Sequence, residues 1–472
     1  MDLDTLPLCS EVPNGSLRFH SHAPSRCVRW KREDLVMTGE YRRAFASLQS
    51  LLVQHSPGEL FARLRRKPGA AAQKIPSGSE ITDLAIDGRW QALPLAHAAR
   101  RELLDAQSHA QSHRYAANVE NFIGTVKVPV GVIGPLRVNG TYAQQDYFVP
   151  LATTEATLVA SYGRGAKLIT SVGGCSALSV SEGMARAPGF AFRALHEAGE
   201  FAAWILAAFP ELAAVGAGTS RYARLQNVRV SVEGNHVYVI FDFHTGDAAG
   251  QNMVTIATQA ICEHINVHSP VKPAYYFLEA NYSGDKKASA QSSICGRGRS
   301  VTADVVIPAM MVQEHLHTTP EIMAKFFTMG AIGGVMSGAM GIQCHFANGL
   351  AAIYLACGQD VASVAESAVG IARLEVTPDG ALYASVTLPS LPVGTVGGGT
   401  ELPSQKACLD ILGLAGPGHA NAFAEVCAAL ALAGELSIAG ALAAGEFAEA
   451  HQRLARGARQ TTPAPRAPAA LK

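Results

Sequence analysis

Five side chains and three glycine-rich segments have the types that chemistry at a carbonyl requires. Glu155, in PLATTEATLVAS, stands where a strand-like run gives way to a helix. An apolar setting there would raise the carboxyl's pKa and make it a proton donor, whereas the dipole of a first helical turn would hold it ionised. Lys286 and Lys287 follow Asp285 in NYSGDKKASA, a small-residue loop able to hold an ammonium beside a developing oxyanion, and equally able to be a solvated loop. Asp360 closes the apolar run AAIYLACGQD, and a buried aspartate needs a cation, for which Lys286 is the candidate. His451, in GEFAEAHQRLARGAR, is either a surface histidine or a mobile proton donor. The segments GTSRYARLQ, GDAAGQN and VGGGT could cradle phosphates, although none completes G-x-G-x-x-G and each is also an ordinary tight turn. An oxyanion cation, proton donors and a phosphate cradle are together what reduction of a thioester needs.

The elements that must position these groups are partly written in the periodicity. Val228, Val230 and Val232 alternate, Gly234-Asn235 turns, and Val237, Val239, Phe241 and Phe243 alternate back, which predicts a half-buried hairpin. QNMVTIATQAICEHI then carries a helical pattern behind GDAAG, giving strand, glycine turn and helix in the order of a phosphate site. Residues 1 to about 115 begin polar and proline-broken and turn helix-like from Leu95 to His113, as an accessory or oligomer-forming arm would. The first large core is expected from Glu120, in ENFIGTVKVPVGVIGPLRVNG. The C-terminal TTPAPRAPAALK is proline- and alanine-rich and reads as disordered.

The bulk numbers limit the partners. A chain of 472 residues is long enough for two or three domains. Its 38 basic and 38 acidic residues cancel, so no global field recruits nucleic acid or an anionic membrane. Nine cysteines without a C-x-x-C pair argue against a disulfide framework and a zinc knuckle, and no metal is expected. The start, MDLDTLPLCSEVPNG, lacks the basic and apolar regions of a secretory signal, and the apolar stretch Ala428 to Gly445 is interrupted by Glu435. The expected location is cytoplasmic.

The blocks ENFIGTVKVPVGVIGPL, PLATTEATLVASYGRGAK, EGMARAP, TSRYARLQ, GDAAGQNM, NYSGDKKASA, GRGRSV, AIYLACGQD, VGTVGGGT and AGELSIAGALAAGEFAEAH occur in this order across about residues 95 to 455. Together they resemble the signature blocks of the hydroxymethylglutaryl-coenzyme A (HMG-CoA) reductase family, closest to its class I type. The resemblance implies an α+β fold: a helical N-terminal region (1–115), a large mixed domain with a central helix (116–187 and 279–455), and an inserted small ferredoxin-like cofactor domain (188–278). Residues 456–472 form the tail. It further implies NADPH as cofactor, an acyl-coenzyme A substrate, and a homodimer or dimer of dimers with the active site at the subunit interface.

Carried over residue by residue, the resemblance makes Glu155 the catalytic glutamate, Lys286 the oxyanion lysine, Asp360 the aspartate that tunes both, and His451 the donor to the departing thiolate. Ser220, Arg221, Asp247, Ala248, Gly250, Asn252 and Arg456 fall on the cofactor side. Ser161, Arg164, Lys167, Arg186, Glu279, Asn281, Asp285, Lys287, His345 and Asn348 fall on the substrate side. The implied reaction takes HMG-CoA to mevalonate with two NADPH.

Departures cluster around the acyl group. Glu279 stands where the family has serine, Ala156 follows Glu155 where the family has glycine, and MAKFFTMGAIGG carries no lysine at the aligned place, Lys325 lying about a turn away. If Glu279 faces the acyl pocket it repels a distal carboxylate. Two other readings follow: a relative reducing a different acyl thioester, on coenzyme A or a carrier protein, and a binding relic without catalysis.

Overall fold

The alternation on either side of Gly234 becomes two paired strands, Arg224–Glu233 and His236–His244, in a register that opposes Val232 to Val237 and leaves Gly234-Asn235 as the two-residue loop. Val237, Val239, Phe241 and Phe243 are buried on one face, while Val232 is 45% exposed. The computed structural model describes residues 10–12, 16–18, 46, 49–65, 74–93 and 96–449. His451, Arg456 and the C-terminal tail lie outside the described residues.

The chain divides into two units, Met1–Lys74 and Ile75–Lys472. The first holds a short antiparallel pair, Ser10–Val12 with Ser16–Arg18, and the helix Pro57–Leu64. A capping box starts that helix: Ser56 Oγ accepts the Glu59 N–H at 3.3 Å and the Glu59 carboxylate accepts the Ser56 N–H at 2.9 Å.

The second unit opens with the helices Asp83–Gln91 and Ala96–Leu103, where Ile86, Trp90 and Phe122 form a small core. A ten-stranded sheet follows. Its strands are β1 (Val130–Gly140), β2 (Gln144–Ala152), β3 (Cys175–Arg186), β4 (Gly189–Ala191), β5 (Arg224–Glu233), β6 (His236–His244), β7 (Tyr275–Phe277), β8 (Gly298–Ile307), β9 (Ile371–Val376) and β10 (Leu382–Leu391). The path runs β9-β10-β8-β3-β6-β4-β7, with β1 paired to β2 and β3, and β5 paired to β6. β3 is shared: residues 176–183 pair with β8, whereas Met184–Arg186 pair with β6.

The principal helices of this unit are α1 (Leu158–Ser171), α2 (Leu195–Ala207), α3 (Phe209–Ala217), α4 (Gln251–His268), α5 (Pro320–Met336), α6 (Phe346–Ala356) and α7 (Ala420–Ala443). Two separate apolar clusters form. One gathers α1, α6 and α7 against β1, β2, β8 and β10; the other gathers α2, α3 and α4 against β4, β5 and β6. The second cluster follows the order strand, two helices, strand, strand, helix, strand, with its strands lying β5-β6-β4-β7, each pair antiparallel.

Helix α7 is the one described helix of spanning length and apolarity, and it is a core helix, buried along nearly its whole length. Two buried glutamates explain how so apolar a helix tolerates charge. The Glu425 carboxylate accepts the N–H groups of Thr141, Tyr142, Ala143 and Ser179 at 3.1, 2.9, 2.7 and 3.3 Å, fixing the β1–β2 turn. Glu435 holds a loop of the site described next.

Candidate active site

Lys286 lies in the loop after β7 with φ +56°, a left-handed backbone conformation uncommon for a residue with a Cβ. Its ammonium meets Asp360 Oδ2 at 2.8 Å. The expected partner is therefore in place, but the aspartate is not buried: the two side chains are 41% and 39% exposed. The apolar stretch before Asp360 is helix α6, and burial ends at Gln359, whose side chain donates to Cys357 O and Gly394 O. Asp360 instead caps the short turn Val361–Ser363, accepting the Ala362 N–H at 3.1 Å.

Under the lysine, Asp285 is held by Arg186 at 2.7 Å and by Arg297. Burial pushes its pKa up, but the guanidiniums of Arg297 and Arg186 outweigh burial and hold the carboxyl below its ordinary range. Lys287 turns back to donate to Asp285 O at 3.0 Å. Glu279 turns its carboxylate toward the chain: Oε1 accepts the Asn281 N–H at 2.9 Å, and Oε2 accepts the Ala187 N–H at 3.2 Å and lies 3.7 Å from Arg186 Nη1. Asn281 itself has φ +66°.

The GDAAG turn opens α4 as its composition suggests. Gly250 occupies the N-cap at φ +80°, and no side chain covers the first-turn amides. A cleft of about 390 Å³ lies before them, bounded by Ala248, Gly250 and Asn252 on one side and by Gly397, Gly399 and Asp360 on the other. A Cβ on Gly394 would stand 2.4 Å from Ala249 N, so only glycine lets the two segments approach. Bare amides at the positive end of an 18-residue helix, closed in by glycine backbone, suit the phosphates of a dinucleotide. α4 is also tied to the lysine loop: Arg186 Nε donates to Thr255 Oγ1 at 2.9 Å, and Gln251 Nε2 donates to Ser363 Oγ at 3.0 Å.

Glu155 sits in the turn between β2 and α1, just before Thr157 at φ +77°. It is exposed, so the described residues of one chain do not supply the apolar setting expected of it. Its Oε2 accepts from Asn348 Nδ2 at 2.9 Å. His345, at the N-cap of α6, is oriented from below by Glu435, which accepts the N–H groups of Cys344 and His345 at 2.8 Å each and lies 3.4 Å from His345 Nδ1. Tyr162 stacks on the imidazole and donates to His345 O at 3.0 Å.

Other expected residues are placed differently. Asp247 does not line the cleft; its carboxylate accepts the Gly418 and Ala420 N–H groups at 2.8 and 3.2 Å and so secures the start of α7. Arg164 is drawn to α7, donating to Ser437 Oγ and O at 3.1 and 2.5 Å, and Ser161 Oγ is 2.9 Å from the same hydroxyl. Burial lowers the Arg164 pKa. Lys167 is exposed. Ser220 and Arg221 form the turn before β5, apart from the Ala248–Asp360 cleft, with Arg221 over the Tyr222 ring at 5.9 Å. Arg297 and Glu366 were not singled out by sequence, although GRGRSV, which holds Arg297, is one of the blocks that carry the resemblance. Glu435 did leave a signal, as the charge interrupting an apolar run. Among the described residues no group of three His, Cys, Asp or Glu side chains is placed to hold a metal ion.

A lysine–aspartate pair at the edge of a glycine-walled cleft, in a mixed α+β chain, places a cation beside backbone amides able to bind phosphate, a combination that suits a nicotinamide-dependent reductase. The family profile described as hydroxymethylglutaryl-coenzyme A reductase matches residues 85–456. The 3-hydroxy-3-methylglutaryl-coenzyme A reductase of Aeropyrum pernix is 46% identical over 349 residues, 73% of this chain and 83% of that protein. The enzyme of the same name from Pyrococcus horikoshii is 44% identical, covering 72% and 84%. The one from Gibberella fujikuroi is 40% identical over 98% of this chain and 41% of its own length. In fold, the class II reductase of Streptococcus pneumoniae bound to NADPH in open conformations superposes with a TM-score of 0.58 at 20% identity, over 73% of this chain and 95% of that one. The chain belongs to the hydroxymethylglutaryl-coenzyme A reductase family, a family of NADPH-dependent oxidoreductases.

Proposed function

We propose that the chain reduces an acyl-coenzyme A thioester to a primary alcohol with two NADPH, and that HMG-CoA, giving mevalonate and free coenzyme A, is its substrate. The observation that carries this reading is the place of Asp360: it lines the glycine-walled cleft before α4 and also holds the Lys286 ammonium. A hydride donor in that cleft would lie beside the cation that an oxyanion needs.

NADPH, when bound, supplies the hydride at each of the two reductions. Lys286 holds the oxyanion that forms as the thioester carbonyl becomes tetrahedral. Collapse of that centre breaks the carbon–sulfur bond, and His451 protonates the departing thiolate. Glu155, aligned by Asn348, gives its proton to the aldehyde oxygen in the second reduction, leaving the alcohol. We read the β4–β7 layer with α2, α3 and α4 as a ferredoxin-like cofactor insertion over 188–278, a reading supported by its strand order and its separate apolar cluster. The remainder, 116–187 and 279–455, is read as the substrate domain. NADPH oxidation against a panel of acyl thioesters tests the function, and absence of turnover on every thioester would leave a binding protein.

Glu155 is exposed on its own chain rather than set in the apolar surroundings a proton donor needs, which supports a site completed by a second copy. Mixing the inactive variants Glu155→Gln and Lys286→Ala by co-expression should return about a quarter of full activity, since half of the dimers are mixed and each carries one intact site. No recovery in a verified heterodimer would place both pairs in one subunit's site.

Glu279 favours a second substrate reading, an acyl group without a distal carboxylate, because it shares Arg186 with Asp285. Glu279→Ser should free part of that guanidinium and lower KM for HMG-CoA by about 2- to 5-fold, the scale of a partly exposed charge pair. An unchanged KM in steady-state kinetics would remove Glu279 from acyl recognition.

A further inference from the structure

Beneath the Lys286 loop lies a charge pair screened from solvent. Arg297 is 1% exposed and Glu366 is fully buried, and Arg297 Nη1 meets the two Glu366 oxygens at 2.9 and 3.2 Å. The same Nη1 reaches Asp285, the residue before Lys286. Glu366 Oε1 accepts the backbone N–H of Lys286 itself at 3.1 Å. Ser390 Oγ closes the arrangement, lying 3.4 Å from Glu366 Oε2 and bonded to both the N–H and the carbonyl of Arg297.

As a device for stability this pair is poor. Withdrawing two charges from water costs about as much as their attraction returns, and replacing such a pair by apolar side chains is often neutral or better. Among the described residues Arg297 Nε moreover has no partner, and burial pushes the Glu366 pKa up against the guanidinium beside it. What the pair supplies is geometry. The peptide of Lys286 is held left-handed at φ +56°, a conformation that costs a residue with a Cβ about 1–2 kcal/mol and persists only where its surroundings enforce it. Both ends of the lysine are fixed by a single short segment: Asp360 takes the ammonium, and Glu366, on the helix Val364–Ser367 that follows it, takes the amide.

We propose that Arg297 and Glu366 are positioning residues for Lys286, a buried latch that sets where its ammonium stands relative to the cleft. The proposal rests on the reading of Lys286 as the oxyanion cation. Glu366 sets the height of the peptide, Arg297 ties that carboxylate to Asp285, and together they leave the side chain one direction in which to meet Asp360.

Kinetics of three full-length variants, with HMG-CoA as acyl donor, test the latch. In Arg297→Met/Glu366→Leu the charges leave together, so the melting temperature should stay within a few degrees of the parent. Its kcat should fall about 100-fold while KM for NADPH stays nearly constant, because displacing a reacting group by about an ångström costs a factor of that order. Glu366→Gln keeps a carbonyl acceptor for the Lys286 N–H and should recover part of the lost kcat, which a role confined to packing would not produce. Arg297→Lys keeps a buried cation but shortens its reach, so it no longer stands where Nη1 meets both Asp285 and Glu366, and should lower kcat about 10-fold without moving KM for NADPH, a readout that holds even if the double variant does not fold. A double variant, or Arg297→Lys, that folds and turns over within about threefold of the parent overturns the latch. Lys286→Ala separates the two ideas: full activity there sinks the reading of the lysine itself, whereas an inactive Lys286→Ala beside fully active latch variants sinks the latch alone.

Discussion

Lys286→Ala is expected to lower turnover about 100- to 1000-fold, the usual consequence of removing one oxyanion donor, while leaving NADPH affinity nearly unchanged. The cleft before α4 is lined without Lys286, so cofactor binding, followed by quenching of protein fluorescence, should survive. The fold should survive as well, because the partner left behind, Asp360, is 39% exposed and can be hydrated. Loss of turnover with retained NADPH binding is the pattern of a group that acts on the transition state rather than the ground state. Turnover within threefold of the parent would exclude the lysine from the chemistry.

Glu425→Ala should be the most damaging single change to stability. Four backbone N–H groups of the β1–β2 turn and of β3 converge on that carboxylate, which is fully buried in α7. Ala143 is buried while Thr141 and Tyr142 are exposed, so at about 1–3 kcal/mol for each donor that water cannot reach the total is about 2–4 kcal/mol, out of the roughly 5–15 kcal/mol typical of a whole domain. Thermal melts should show a fall of roughly 10 °C. Glu425→Gln should recover only part of it, because its amide group faces donors with another donor. A variant melting within about 2 °C of the parent would mean that water enters and satisfies the turn.

Elements with strong local periodicity were legible in the sequence. The hairpin about Gly234 and the helix behind GDAAG could be placed from alternation and glycine alone, because a period of two and a glycine turn each admit few backbones. Helix α7 was legible as a packed helix through Glu435. The sheet order was not, since β3 pairs with residues as near along the chain as Val138 with Cys175 and as far as Asp304 with Ser176, and nothing local encodes its sharing between two clusters.

The site was legible as residue types and less so as environments. Lys286 and Asp360 pair as their chemistry suggested, yet Asp360 is exposed, because the apolar residues before it bury a helix that has already ended. Glu279 bonds to amides and Arg186 within its own chain, a choice that side-chain type cannot reveal. Asp247 sits in a cofactor-type motif but secures α7. Glu366 was invisible because a lone glutamate among small residues reads as surface, and only tertiary contact shows that Arg297 accompanies it inside.

Strand β3 has a mechanical consequence. Its first half is laddered into the sheet of the large cluster, its last three residues are laddered to β6 of the other, and Arg186 terminates it. No flexible linker intervenes at that crossing. Any tilt of the β4–β7 layer must therefore be absorbed as torsion along a hydrogen-bonded strand, with a restoring force, instead of free rotation about a hinge. Because Arg186 rides on the end of that strand and bonds both Thr255 of α4 and Asp285, the strand is a lever arm: a displacement of α4 is transmitted to the loop that carries Lys286.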